Sequence, residues 1–106
     1  MSIAVRRTSM CHRDLVEIAD YFDRTSSERA ERFLRAVDDL CDTLVRTPDL
    51  GTRIYVDKPH FSGLRAVTIP GFRSYLVCHR PVSGDIEIVR VIHASRDIDA
   101  ALEESP

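Results

Sequence analysis

Residues 63–97 of the chain read GLRAVTIPGFRSYLVCHRPVSGDIEIVRVIHASRD, and this stretch decides the fold. It contains three runs rich in β-branched, aromatic and other apolar residues: Leu64–Ile69, Phe72–Arg80 and Ile86–Ile92. Turn residues, mainly Pro, Gly, Ser and Asp, separate the runs, which is typical of neighbouring antiparallel strands. The third run has apolar side chains for both faces of a sheet, so we expect it to be an interior strand.

Two helices are predicted upstream of these strands. Apolar residues recur at helical spacing over Cys11–Phe22, directly after Thr8 and Ser9, whose hydroxyls can cap a helix of about four turns. A stronger pattern with the same spacing runs over Ala30–Val45 and ends before Pro48. The charged residues of the first helix are assigned to its polar side: Arg13, Asp14, Glu17 and Asp20. The short break between the helices predicts an antiparallel hairpin.

The order of elements predicts one α+β domain over residues 1–106. Ile3–Arg6 suits an opening strand, Arg53–Val56 suits an edge strand, and the chain after Ser95 suits a short last helix. The arrangement is β-α-α-β-β-β-α, with the helical hairpin packed on one face of a small, mainly antiparallel sheet. A chain of 106 residues has room for one such core.

The charge of the chain is nearly balanced but unevenly placed. Lys and Arg number 15, and Asp and Glu number 17. Residues 51–97 carry seven basic and four acidic residues, a balance of +3, and the remaining residues sum to −5. The pI is about 6.0, whereas nucleic-acid-binding domains often have a pI above about 9. We therefore do not expect direct nucleic-acid binding.

The cysteines indicate free thiols in a reducing compartment. Cys11, Cys41 and Cys78 form an odd, dispersed set without the Cys-x-x-Cys or Cys/His spacing of a metal site. No apolar stretch approaches the roughly 18 residues of a membrane span. We expect a cytoplasmic protein without a metal, a cofactor or a membrane partner.

One motif is more specific than any other in the chain: Ile86–Asp97, which reads IEIVRVIHASRD. Weaker motifs accompany it: Asp14-Leu15-x-x-Ile18-x-x-Tyr21, Ala30-x-x-Phe33, Pro48-x-x-Gly51 and Leu64-Arg65. On these residues the chain resembles the ParE/RelE toxin superfamily of type II toxin–antitoxin modules. It is most similar to the ParE-like branch, whose members are often labelled plasmid stabilisation proteins.

The resemblance implies a toxin that arrests growth when free and is silenced by a cognate antitoxin encoded beside it. Members of the ParE-like branch inhibit DNA gyrase, whereas RelE-like relatives cut messenger RNA on the ribosome. We predict the first activity, exerted by protein–protein binding to gyrase rather than by catalysis. The alternatives are a RelE-like endoribonuclease and a relative that has lost toxicity and acts as a regulatory partner.

The ribonuclease alternative would use Arg73 and His93. The resemblance places them where some RNA-cutting relatives carry a catalytic Arg and His, although gyrase-directed relatives also have a His at the end of this strand. Two features count against RNA cleavage. Ala94 follows His93 and Lys58 is the only lysine, so the tyrosine or lysine cluster of RNA-cutting relatives is missing. The acidic balance of the chain also gives no field that attracts RNA.

Arginines recur along the predicted sheet and suggest a binding surface. Such a row is either a solvated, ion-paired sheet face or the place where an acidic, partly disordered antitoxin tail binds. His93 could simply cap its strand by bonding to the neighbouring backbone or to Asp97, and an exposed Tyr21 would form a docking ridge. The residues predicted to bind the antitoxin or the target are Tyr21, Arg65, Arg73, Arg80, Arg90, His93 and Arg96.

Overall fold

The computed structural model describes residues 2–105, apart from the side chain of His60. The strands are β1 Val5–Arg7, β2 Thr52–Arg53, β3 Arg65–Ile69, β4 Phe72–Val82 and β5 Asp85–His93. They form one sheet in the order β1-β5-β4-β3-β2. β1 pairs with β5 in parallel, and the other neighbours are antiparallel. The mainly antiparallel sheet and the interior position of β5 are therefore confirmed.

The helical hairpin consists of α1 Ser9–Asp23 and α2 Ser27–Arg46. Thr8 and Ser26 cap these helices, each through a side-chain oxygen that accepts a hydrogen bond from a backbone N–H of the first turn. A short 3₁₀ helix and the C-terminal helix α3 Ile98–Glu103 complete the described chain. The predicted α+β architecture is confirmed.

Two strand boundaries differ from the prediction. β4 extends to Val82 because the turn to β5 needs only Ser83 and Gly84, whose φ angles are 51° and 83°. A two-residue turn with both residues in this left-handed region matches the twist of the flanking strands. The predicted edge strand at Arg53–Val56 is shorter than expected. Ile54 donates to the carbonyl of Leu64, and the chain then leaves the sheet.

The sheet is buried on both faces. On one face the hairpin covers a core that includes Phe33, Leu44 and Ile88. On the other face α3 and the segment before β3 cover a smaller core that includes Leu64 and Leu102. This second core was not predicted. It means that, among the described residues, neither face of the sheet is left open as a continuous arginine-bearing surface.

Beyond the end of β1, side chains at the start of α1 bond to the backbone groups on the free edge of β5. The Thr8 hydroxyl donates to the carbonyl of Val89 (2.7 Å), and the N–H of Val91 donates to the Asp14 carboxylate (3.0 Å). Both bonds satisfy backbone groups that would otherwise lack a neighbouring strand. Asp14 is consequently only 5% exposed, and its assignment to the polar side of the helix is wrong.

Candidate binding surface

Four aromatic side chains pack together where α1 ends and β4 begins. They are Phe22, Phe33, Phe72 and Tyr75, and the ring centroids of contacting pairs lie 5.3–5.7 Å apart, mostly edge to face. Phe22 belongs to α1, Phe33 to α2, and the other two to β4. The cluster therefore fixes the hairpin to this end of the sheet and gives the residues around it a rigid base.

His93 lies at this end of the sheet, directly across from Tyr75 in the β4–β5 register. The two rings meet edge to face at 5.0 Å. The imidazole is exposed, and its Nδ1 accepts a hydrogen bond from the N–H of Ser95 (3.1 Å), with the Ser95 hydroxyl at 2.7 Å. Since a backbone N–H can only donate, Nδ1 is the acceptor in this contact, and Nε2 is the nitrogen left to carry a hydrogen.

The expected bond between His93 and the neighbouring backbone is thus confirmed, and the alternative bond to Asp97 is not present. Asp97 instead caps α3, where its carboxylate accepts a hydrogen bond from the N–H of Ala100 (3.2 Å). The ring of His93 is oriented by its own turn, so its outer edge faces solvent as a hydrogen-bond donor.

Two tyrosines accompany His93. Burial raises the pKa of Tyr75, Tyr21 adds to the rise, and Arg29 opposes it. The Tyr75 phenol therefore stays protonated at neutral pH and can act as a donor. Tyr21 is 60% exposed at the end of α1, as a docking role requires.

Arg73 completes this group. It stands near the start of β4, two residues before Tyr75, and is exposed. Within the described part of the chain its side chain makes no hydrogen bond or ion pair. We name Tyr21, Arg73, Tyr75 and His93 the His93 surface.

The other predicted surface arginines lie elsewhere. Arg65 pairs in register with His79, which is four residues and about 13 Å along β4 from Tyr75, and it donates to the carbonyl of Gly51 (3.2 Å). Arg80 forms an ion pair with Glu87 (3.1 Å). These arginines do not join the His93 surface.

Arg96 and Arg90 are both tied to α3. Arg96 forms an exposed ion pair with Glu104 (3.1 Å). Arg90 is only 2% exposed; it bonds to both carboxylate oxygens of Asp14 (2.7 and 2.9 Å) and to the carbonyl of Ala101 (2.7 Å). Arg90 therefore joins α1, β5 and α3 inside the molecule, and it is not available to a partner in this conformation.

Sequence analysis missed two features of this end of the molecule. Tyr75 is 18 residues from His93 in the sequence and meets it only through the pairing of β4 with β5, so no local motif joins the two. The exposed arginines of α2 lie outside the segment with the positive charge balance, residues 51–97. The α2 arginines concerned are Arg29, Arg32 and Arg35.

All three cysteines are free. Burial raises the pKa of Cys11 and Cys78 to about 12, so both thiols stay protonated at neutral pH. Among the described residues no cluster of His, Cys, Asp and Glu has the arrangement of a metal site, and no helix is both long and apolar enough to cross a membrane.

Comparisons with known proteins identify a family and a shared fold. The family model described as ParE toxin of type II toxin-antitoxin system, parDE, matches residues 5–98, from β1 to the start of α3. Among solved structures, a chain of the chromosomal ParDE TA system from P. aeruginosa is similar, with a TM-score of 0.69 and 18% identity over 87% of this chain and 96% of that one. Identity this low shows a shared fold. No curated protein matches the chain.

Proposed function

The chain belongs to the ParE toxin family and is the toxin component of a type II toxin–antitoxin system, and from this premise we propose that it arrests growth by binding DNA gyrase. Its antitoxin partner would silence it by covering the surface that gyrase needs. We place both events in the cytoplasm. Neither step requires catalysis, a metal or a cofactor from this chain.

The observation that supports this proposal is the hydrogen bonding of the His93 imidazole. RNA cleavage needs a base that takes a proton from a 2′-hydroxyl, and a neutral imidazole has a single basic lone pair. In His93 this lone pair, on Nδ1, accepts the N–H of Ser95. The Nε2–H that faces solvent is a donor, which suits recognition of another protein better than proton abstraction.

The remaining residues of the His93 surface also suit protein recognition. Tyrosine and arginine are enriched among the residues that dominate binding energy at protein interfaces. Tyr21 and Arg73 are exposed, and the aromatic cluster beneath them holds this end of the molecule rigid. A rigid, exposed surface loses less conformational entropy on binding.

One observation favours RNA cleavage as a second candidate function. Tyr75 packs against His93 and supplies the tyrosine that is missing after His93 in the sequence. In this candidate Arg73 would stabilise the charge that develops on the scissile phosphate as the 2′-oxygen bonds to phosphorus. The Tyr75 or His93 donor would protonate the leaving oxygen as its bond to phosphorus breaks, and solvent water would take the proton of the 2′-hydroxyl.

Two assays run in parallel test the proposal. The purified chain is expected to inhibit supercoiling by purified gyrase and to leave translated messages intact. Tyr21→Ala and Arg73→Ala should weaken the inhibition, whereas Arg46→Ala, which removes an exposed arginine at the far end of α2, should not. Codon-positioned message cleavage that disappears in His93→Ala or Arg73→Ala would contradict the gyrase proposal and support the second candidate. Expression without any growth defect would instead favour a non-toxic regulatory relative.

A further inference from the structure

A groove lies between α2 and the turn that joins β3 to β4. Its volume is about 300 Å³, and it is lined by three arginines of α2 and by the turn. Its lining includes Arg29, Arg32, Arg35, Asp39 and Phe72. We name this feature the α2 groove.

The arginines of the α2 groove are available for an anionic partner. Their spacing of three residues places neighbours about one helical turn apart on the same side of α2. None of the three forms an ion pair within the part of the chain that the structure describes. Arg29 is held in place because its guanidinium lies over the rings of Phe22 (5.1 Å) and Phe72 (5.5 Å). The lining of the groove, with three arginines and one aspartate, is therefore net positive on a chain whose net charge is −2.

We propose that the α2 groove binds a short acidic segment of the antitoxin. Carboxylates of the segment would pair with Arg32 and Arg35, and an apolar side chain would lie against Phe72, whose ring is partly exposed. This inference rests on the proposed function for the existence of the antitoxin, but it gives the acidic segment a different site from the sheet arginines.

The charges around the α2 groove favour a peptide over a nucleic acid. Asp39 lines the groove, and Glu28 and Glu31 are exposed on the same helix. A nucleic-acid backbone carries one phosphate at every nucleotide and would meet these carboxylates as soon as it left the groove. A peptide can place acidic residues only where the arginines are.

A peptide-binding experiment tests the inference. The probe is a short fluorescein-labelled peptide of alternating glutamate and alanine with one central leucine, titrated with the full chain and followed by fluorescence anisotropy at low ionic strength. In the double variant Arg32→Ala/Arg35→Ala we expect the dissociation constant to rise about tenfold, because two charged contacts are lost.

The matched control is Arg13→Ala/Arg46→Ala, which removes the same charge from exposed helix positions outside the groove. We expect its dissociation constant to stay within about twofold of the wild-type value, since only the long-range field changes. Equal losses in both double variants, or no loss in either, would overturn the inference. A single-stranded RNA of equal charge that binds more tightly than the peptide, and loses affinity only in the groove variant, would overturn it in favour of nucleic acid.

Gyrase supercoiling with the wild-type chain, measured alongside, separates this inference from the proposed function. If the wild-type chain does not inhibit gyrase and the peptide still binds through the groove, gyrase is not the target, but the groove is still a peptide-binding site. If gyrase is inhibited and peptide binding does not depend on the groove arginines, the groove is not the peptide-binding site, and gyrase is still supported as the target.

Discussion

At the scale of single residues, the buried pair of Asp14 and Arg90 has the largest structural role. Each charged group is fully paired: Asp14 accepts from Arg90 and from the N–H of Val91, and Arg90 also donates to the carbonyl of Ala101. The family-like motif that begins at Asp14 therefore marks a structural contact. Its position was visible in the sequence, because Asp14 is three residues after Cys11 and so falls on the apolar side of α1.

Removing the carboxylate of this pair should be costly. We expect Asp14→Ala to lower the free energy of unfolding by about 3–5 kcal/mol, because Arg90 would remain charged and buried without its partner. Asp38→Ala is the matched control. Asp38 pairs with Arg7 at 2.7 Å, but its side chain is 66% exposed, so the loss should stay below about 1 kcal/mol. Urea denaturation of the three proteins measures both values, and similar small losses in the two variants would contradict the role given to Asp14.

His79 gives the stability a defined pH dependence. Its Nε2 donates to the carbonyl of Leu50 (2.8 Å), and the side chain is buried. Burial lowers the pKa of His79 below its ordinary value of 6.5; Arg65 lowers it further, while the bond to Leu50 and the charge of Asp49 oppose the shift. The unfolded chain therefore binds a proton before the folded chain does.

It follows that the contribution of His79 is complete above pH 6.5 and is lost as the pH falls below 6.5 towards the folded-state pKa. The measurement is the free energy of unfolding between about pH 8 and about pH 5, where His is the main titrating side chain. His79→Gln keeps a donor but does not titrate, so its stability should decline less on acidification than that of the wild-type chain. Parallel curves for the two proteins would show that His79 does not contribute.

At the scale of elements, α3 is held to the sheet by cations as well as by apolar contacts. The ammonium of Lys58 donates to the carbonyls of Leu102 (3.2 Å), Glu103 (2.6 Å) and Ser105 (2.9 Å). The carbonyls of Leu102 and Glu103 lie in the last turn of α3, and that of Ser105 lies just beyond it. The Leu102 carbonyl also accepts from the N–H of Ser105 (3.1 Å), so Lys58 adds to the bonds that close the end of this short helix. The only lysine in the chain is thus the C-terminal cap of α3.

Loss of this cap should loosen α3 locally. In Lys58→Met we expect faster amide hydrogen exchange over residues 98–105, equivalent to a local opening free energy lower by about 1–3 kcal/mol. Arg96→Met is the control, because Arg96 pairs with Glu104 on the exposed side of the same helix. Mass spectrometry of peptides that cover α3 measures the exchange. Unchanged protection in Lys58→Met, or equal changes in both variants, would contradict the assignment.

Most elements were predictable from the sequence, whereas the true extent of β2 and the existence of the second core were not. α1 and α2 repeat their apolar residues over several turns, and β5 has apolar side chains for two faces, so local sequence determines them. β2 is two residues long and depends on pairing with Arg65 and Ala66 of β3. The second core depends on α3, a helix of six residues, which is too short for its apolar residues to show which surface it packs against. Such contacts between distant segments are not contained in any local pattern.

At the scale of the whole molecule, the candidate site forms because the fold brings together residues that are far apart in the sequence. Tyr21, Arg73 and His93 were predicted individually, and the fold gathers them at one end of the sheet around Tyr75. Arg65 and Arg80 were predicted by the same reasoning but lie farther along the strands. The segment with an excess of basic residues is 51–97. The arginines of the α2 groove instead come from residues 29–35, which lie outside that segment.

Direct titration of purified gyrase with the purified chain tests the proposal that this toxin acts by binding gyrase through the His93 surface. We expect wild-type chain and Arg46→Ala to bind with equal affinity, and Tyr21→Ala and Arg73→Ala to bind about tenfold more weakly, as residues at the centre of an interface do. A wild-type chain that shows no binding to gyrase at concentrations that arrest growth would rule out gyrase as the target.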